Sequence, residues 1–126
     1  MLSVRHTGIL NFMEKVMRHF LLLLVIIGSY LSSGCSSTTP VGGAQYSPTD
    51  LKQVEVLYQE PQRPYEVIAL ISHEAATRFA TVPGVIQKCR ELAAQAGADA
   101  IIITSTYDQT FNTAAKAAGK AIRWKR

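Results

Sequence analysis

The eight residues FLLLLVII, 20–27, constrain this chain more than any other feature. A run so apolar must leave water, and its length decides how. A helix rises about 1.5 Å per residue, so eight residues give roughly 12 Å, against about 30 Å of hydrocarbon in a bilayer. Carried on through Leu31, past Gly28 and Ser29, the run reaches about 18 Å, still short of a comfortable span. Arg18 and His19 stand in front of it, and GSYLSSGC, small residues around a cysteine, follows. Basic residues, a short apolar stretch and small residues in that order form the pattern of an export signal that is removed. MRHFLLLLVIIGSYLSSGC is a compact signal by itself, so a start at Met13 or Met17 fits as well as one at Met1. A conventional secreted protein and a single-pass anchor are the alternatives.

Behind the signal there is room for one small core, since 126 residues of ordinary apolar content make a single domain. The formal charge of +4 shrinks once the leader is set aside, because 10 basic and 8 acidic residues remain from Cys35 onward. So even a balance does not make a nucleic-acid binder on charge alone. Cys35 and Cys89 are the only cysteines, too few for a disulfide framework or a cysteine zinc site. Residues 36–49, SSTTPVGGAQYSPT, carry no charge and almost no large apolar side chain, which predicts a flexible tether with a reach of about 20 Å. The expected organisation is a signal at 1–34, a cysteine and tether at 35–50, and a folded domain at 51–126.

Within that domain the periodicity predicts an α+β fold, a small two-layer sandwich in ββαββ order. One amphipathic helix packs on a mostly antiparallel sheet. In VEVLY, Val54, Val56 and Tyr58 share a face by period-two alternation. EPQRP breaks the chain, and YEVIALIS, apolar on both faces, reads as an interior strand. PGVIQKCRELAAQA, 83–96, places Val85, Ile86, Cys89, Leu92, Ala93 and Ala96 at helical spacing, with Pro83 tolerable in the first turn and Gly97 as the C-terminal cap. DAIIITST gives another buried strand. AIRWK gives a last one with Ile122 and Trp124 inward, after a loop at 110–119 in which 114–118 can add a helical turn.

Cys89, in the middle of the helix's apolar stripe, reads as a small core residue rather than a nucleophile. His73, Glu74 and Asp108 lie at strand ends, as ordinary surface groups. An enzyme or metal protein built on them needs convergence in space, which no ligand spacing announces. There is no phosphate loop and no nucleophile elbow, and no cofactor is expected. One charge feature rises above background: Lys116, Lys120, Arg123, Lys125 and Arg126 are half of the basic residues behind the leader. They suit an anionic envelope polymer or lipid head groups, with Trp124 at the interface. The alternative is a guarded edge strand with Trp124 in the core. HEAATRFATVP, 73–83, with Arg78 and Phe79, is a second contact candidate, unless Phe79 closes the core.

LSSGC resembles the lipobox of bacterial lipoproteins. Ser33 and Gly34 match its two small positions, while Leu31 stands one place earlier than the usual leucine. The resemblance implies cleavage between Gly34 and Cys35 and acylation of Cys35, with palmitate among its chains; several chains anchor durably where one does not. Ser36 after the cysteine implies sorting to the outer membrane, facing the periplasm. GADAIII and PYEVIALIS, over 54–125, resemble the small α/β domains of the RcsF and YbjQ groups of envelope proteins. The stress sensing of the RcsF group rests on paired cysteines, which Cys89 alone does not supply, so its disulfide chemistry does not carry over. The resulting expectation is a non-enzymatic binding, structural or stress-sensing lipoprotein. Its partners are the membrane through acylated Cys35 and an envelope protein or anionic envelope polymer, with no nucleic acid. A domain this small also gains from self-association, so a homo-oligomer is a further expectation.

Overall fold

The structure, a computed structural model, describes residues 4–30 and 34–126. It divides into two compact units, Met1–Ser33 and Gly34–Arg126. The first is helix α1, Val4–Tyr30, which contains the apolar run. Its large apolar side chains between Ile9 and Val25 are 52–69% exposed, so α1 builds no core of its own. Among the described residues no helix is long and apolar enough to cross a membrane. Leu31, Ser32 and Ser33, which carry part of the lipobox resemblance, lie outside the described residues.

The second unit is one five-stranded sheet with a single α-helix on it and a 3-10 turn at Leu51–Gln53. Its strands are β1 (Cys35–Pro40), β2 (Glu55–Leu57), β3 (Tyr65–Glu74), β4 (Ala100–Tyr107) and β5 (Lys116–Trp124), in the order β1-β3-β5-β4-β2. Every pairing is antiparallel except β2 with β4. Helix α2, Val82–Gln95, joins β3 to β4 and starts one residue before the expected Pro83. Thr81 caps it by accepting from the Gly84 N–H, and Pro83 sits in the first turn, where no intrahelical acceptor is missed. Past its end Gly97 takes φ +82°, and a Cβ there would lie 2.5 Å from that of Tyr46, so both backbone conformation and close approach demand glycine. Val85, Cys89, Ala93 and Ala94 of α2 bury against Ala69, Ile71, Ile101, Ala117 and Ala121 of the sheet. Full burial of Val85 and Ile101 stabilises by about 1.5–3 kcal/mol each. This is the expected α+β sandwich, with one strand added in front of the ββαββ order.

That strand corrects the tether. Cys35 pairs with Glu74 and the register runs to Pro40 opposite Ala69, so β1 is a sheet edge. All six of its residues are exposed. The strand is held through its backbone ladder, which needs no apolar side chains, and composition is blind to it. The chain beyond stays docked: Val41 N–H donates to the Ile68 carbonyl at 2.8 Å, Thr49 N–H to that of Ala94 at 2.8 Å, and Tyr46 packs on the core.

The last strand is corrected as well. It begins at Lys116, so the expected loop ends at Ala115 and strand replaces its last four residues and the helical turn, and it is the middle of the sheet rather than an edge. Ala117, Gly119 and Ala121 face α2 and are buried because only small groups fit there. A Cβ on Gly119 would come within 2.6 Å of the Ile102 carbonyl oxygen. Tyr58 also departs from expectation: β2 ends at Leu57, and Tyr58 is 67% exposed. The other face of the sheet carries a smaller cluster of Ala100, Ile102 and Ile122 with Leu57, Tyr65, Val67 and Trp124. Within this unit α2 lies on the opposite face, and Leu70 on this one is half exposed.

Candidate functional site

β3 runs two residues past the expected Ser72, which moves His73 from a surface strand end into the interior. Period-two alternation puts His73 on the α2 face after Ala69 and Ile71, and it is buried. Its Nδ1 lies 2.8 Å from Ser36 Oγ, so the residue after Cys35 is tied to the imidazole. Burial holds His73 below the usual histidine range; Lys88 pushes the same way and Glu91 opposes. Gly34 fits into this corner, where a Cβ would lie 2.4 Å from the Glu74 carbonyl oxygen and 2.7 Å from His73 Cε1.

His73, Glu74 and Asp108 do not converge. Alternation sends Glu74 to the open face, and Asp108, beyond β4, accepts the Gln109 backbone N–H at 2.8 Å. Among the described residues no group of three or more His, Cys, Asp and Glu is placed to hold a metal ion. Cys89 is fully buried, its Sγ donates to the Ala117 carbonyl at 3.6 Å, and desolvation pushes its thiol up to about 11. A neutral, enclosed thiol is no nucleophile at neutral pH. Cys35 is different: a free, exposed thiol at the first residue of β1, beside a hollow of about 160 Å³ lined by Ser72, Glu74, Tyr107, Lys116 and Ala118.

The five C-terminal cations divide between the faces. Lys116 and Lys120 point to the open face with Ile122 and Trp124, Lys116 lying 5.0 Å from the Tyr107 ring centre and Lys120 2.8 Å from Glu60. Tyr65 OH donates to the same carboxylate, and the two contacts hold Glu60 below its ordinary value, Lys120 contributing most. Arg123 points the other way, donating to the Gly97 carbonyl at 3.0 Å and stacking 4.4 Å over Tyr46. Lys125 and Arg126 are exposed beyond β5. Guarding an edge does not explain this run, since β5 has a neighbour on each side. Trp124 is half-buried, with the Arg63 guanidinium 4.9 Å from its ring.

Phe79 does not close the core: it is 81% exposed. Phe111, 85% exposed, is its counterpart on the turn between β4 and β5. The Arg78 guanidinium lies 5.5 Å from one ring and 5.8 Å from the other. Phe111 escaped the sequence reading, although a lone aromatic in the polar stretch DQTFNT was the available signal.

Comparison with known proteins adds a fold and no activity. No family model and no curated protein matches the chain. The chain is similar to the crystal structure of the Francisella virulence factor FvfA, with a TM-score of 0.54 and 20% identity over 71% of this chain and 97% of that one. At that identity the likeness shows a shared fold.

Proposed function

We propose that this chain is a cell-envelope lipoprotein, held to the membrane by acyl chains on Cys35, whose folded unit is a non-enzymatic binding or structural module. The observation that carries the reading is where the chain divides. The compact units meet between residues 33 and 34, so the folded unit begins at Gly34 and the next residue presents an exposed, unpaired thiol. Cleavage before Cys35 leaves the whole sheet intact and puts the modified residue at its first position. The leader supports the same reading, being too brief an apolar run to bridge a bilayer. Ser36 after the cysteine favours the outer membrane, facing the periplasm.

The test is metabolic labelling of a bacterial host with palmitate. Label enters the natural chain and its mass falls by that of the leader, whereas Cys35→Ala takes up no label and accumulates as precursor. Equal incorporation by that variant sinks the reading.

A further inference from the structure

Four strand ends lie in one row. Cys35 stands opposite Glu74, Glu74 opposite Lys116, and Lys116 opposite Tyr107. The turns leaving this row, 75–81 and 108–115, therefore project from the end of the sheet that carries Cys35. They hold Phe79 and Phe111, the most exposed large apolar side chains among the described residues. Such rings are costly to leave in water, and one on its own is unremarkable. These two share Arg78 between them, and their turns are joined: Ala75 N–H donates to the Ala115 carbonyl at 2.9 Å, and the Gln109 amide, turned nitrogen-first, reaches that of Ala80 at 2.8 Å. Tyr107, 58% exposed beneath Lys116, extends the patch toward Cys35.

We propose that this end of the domain is a membrane-contacting face, with Phe79 and Phe111 seated at the lipid headgroup boundary beside the acylated cysteine. The inference rests on the reading of Cys35 as the lipidated residue and deepens it. Because β1 starts at Cys35 itself, no slack chain separates the lipid from the sheet, and this end is held against the bilayer surface. Aromatic rings and the stems of Arg and Lys favour that boundary. Arg78 and Lys116 are balanced there by Glu74 and Asp108, so the contact is driven by the rings and does not need anionic lipid.

Trp124 supplies an internal reference, since β5 runs from Lys116 at this end to Trp124 about 26 Å away at ~3.3 Å per residue. The full chain is produced in bacteria, and the mature protein is recovered from membranes, weighed for acylation at Cys35, and reconstituted in phosphatidylcholine vesicles brominated high in the acyl chain. In Phe111→Trp combined with Trp124→Phe, the introduced indole loses most of its emission to the bromines, whereas Trp124 of the natural protein keeps its own. Acylated protein in which both positions are quenched alike, or neither is, overturns the membrane face and leaves the reading of Cys35 standing. Mature protein without acyl chains overturns that reading and this inference together. Phe111 is exposed, so its replacement disturbs no packing, and a melting curve of the double variant checks that phenylalanine fills the half-buried place of Trp124.

Discussion

Ser36 Oγ and His73 Nδ1 sit 2.8 Å apart, joining the edge strand to the interior of the sheet through side chains that face α2. Ser36→Ala removes a largely buried imidazole's partner and destabilises the folded unit by about 1–2 kcal/mol in thermal or denaturant unfolding. His73 is also a pH sensor of stability. Its folded value lies below the unfolded 6.5, so the unfolded chain binds more protons between the two. The stability associated with neutral His73 is complete above about pH 6.5 and is lost as pH falls through the folded value. His73→Gln, which cannot titrate, flattens this fall; melting curves of the two proteins from pH 7.5 to 5 that run parallel disprove the assignment.

Cys89 is sealed against reagents. With Cys35→Ala removing the other thiol, a chromogenic disulfide reagent at pH 8 finds no reactive thiol in the native chain and one after denaturation, because burial both blocks access and holds the thiolate back. Rapid reaction of the native protein contradicts the buried position.

Gly119 is a packing requirement in the middle strand. Gly119→Ala drives a methyl group toward the Ile102 carbonyl and the Ile101 side chain, and urea titration should show a loss of about 1–3 kcal/mol. An unchanged midpoint means that β4 and β5 are not so closely spaced.

Arg90 Nε donates to the Val54 carbonyl at 2.7 Å, fastening α2 to the start of β2. Arg90→Leu costs about 1.5–3 kcal/mol, the range for hydrogen bonds to charged groups. Arg90→Lys does not restore it, since the bond uses the Nε position along the stem. Full stability in the lysine variant shows that charge alone suffices.

The sequence was most legible where side chains report their own burial. The stripe from Val85 to Ala93 and the isoleucines of DAIIITST marked α2 and β4 within a residue or two, because apolar groups repeat at the period of the structure that buries them. Cys89 was readable as core for the same reason. β1 and the first half of β5 were not. Ser36, Ser37 and Thr38 bury nothing and are held by backbone pairing, while Ala115, Ala117 and Gly119 are small because α2 lies over them, and small residues have weak strand preference. His73 read as a surface group because its shield comes from α2, folded back over the sheet, and from β1, 37 residues away in sequence.

The chain by itself determines an apolar run too short to bridge a bilayer, a cysteine behind it, and a helix packed on an α+β sheet, since each follows from local length and period. The tertiary structure decides that β5 is central, that Cys35 lies in the sheet rather than on a loose tether, and that Phe79 and Phe111 meet across Arg78 at the same end as that cysteine. Those relations depend on which strands pair. Pairing is chosen by backbone hydrogen bonds and close packing between residues far apart in the chain, which no local pattern encodes.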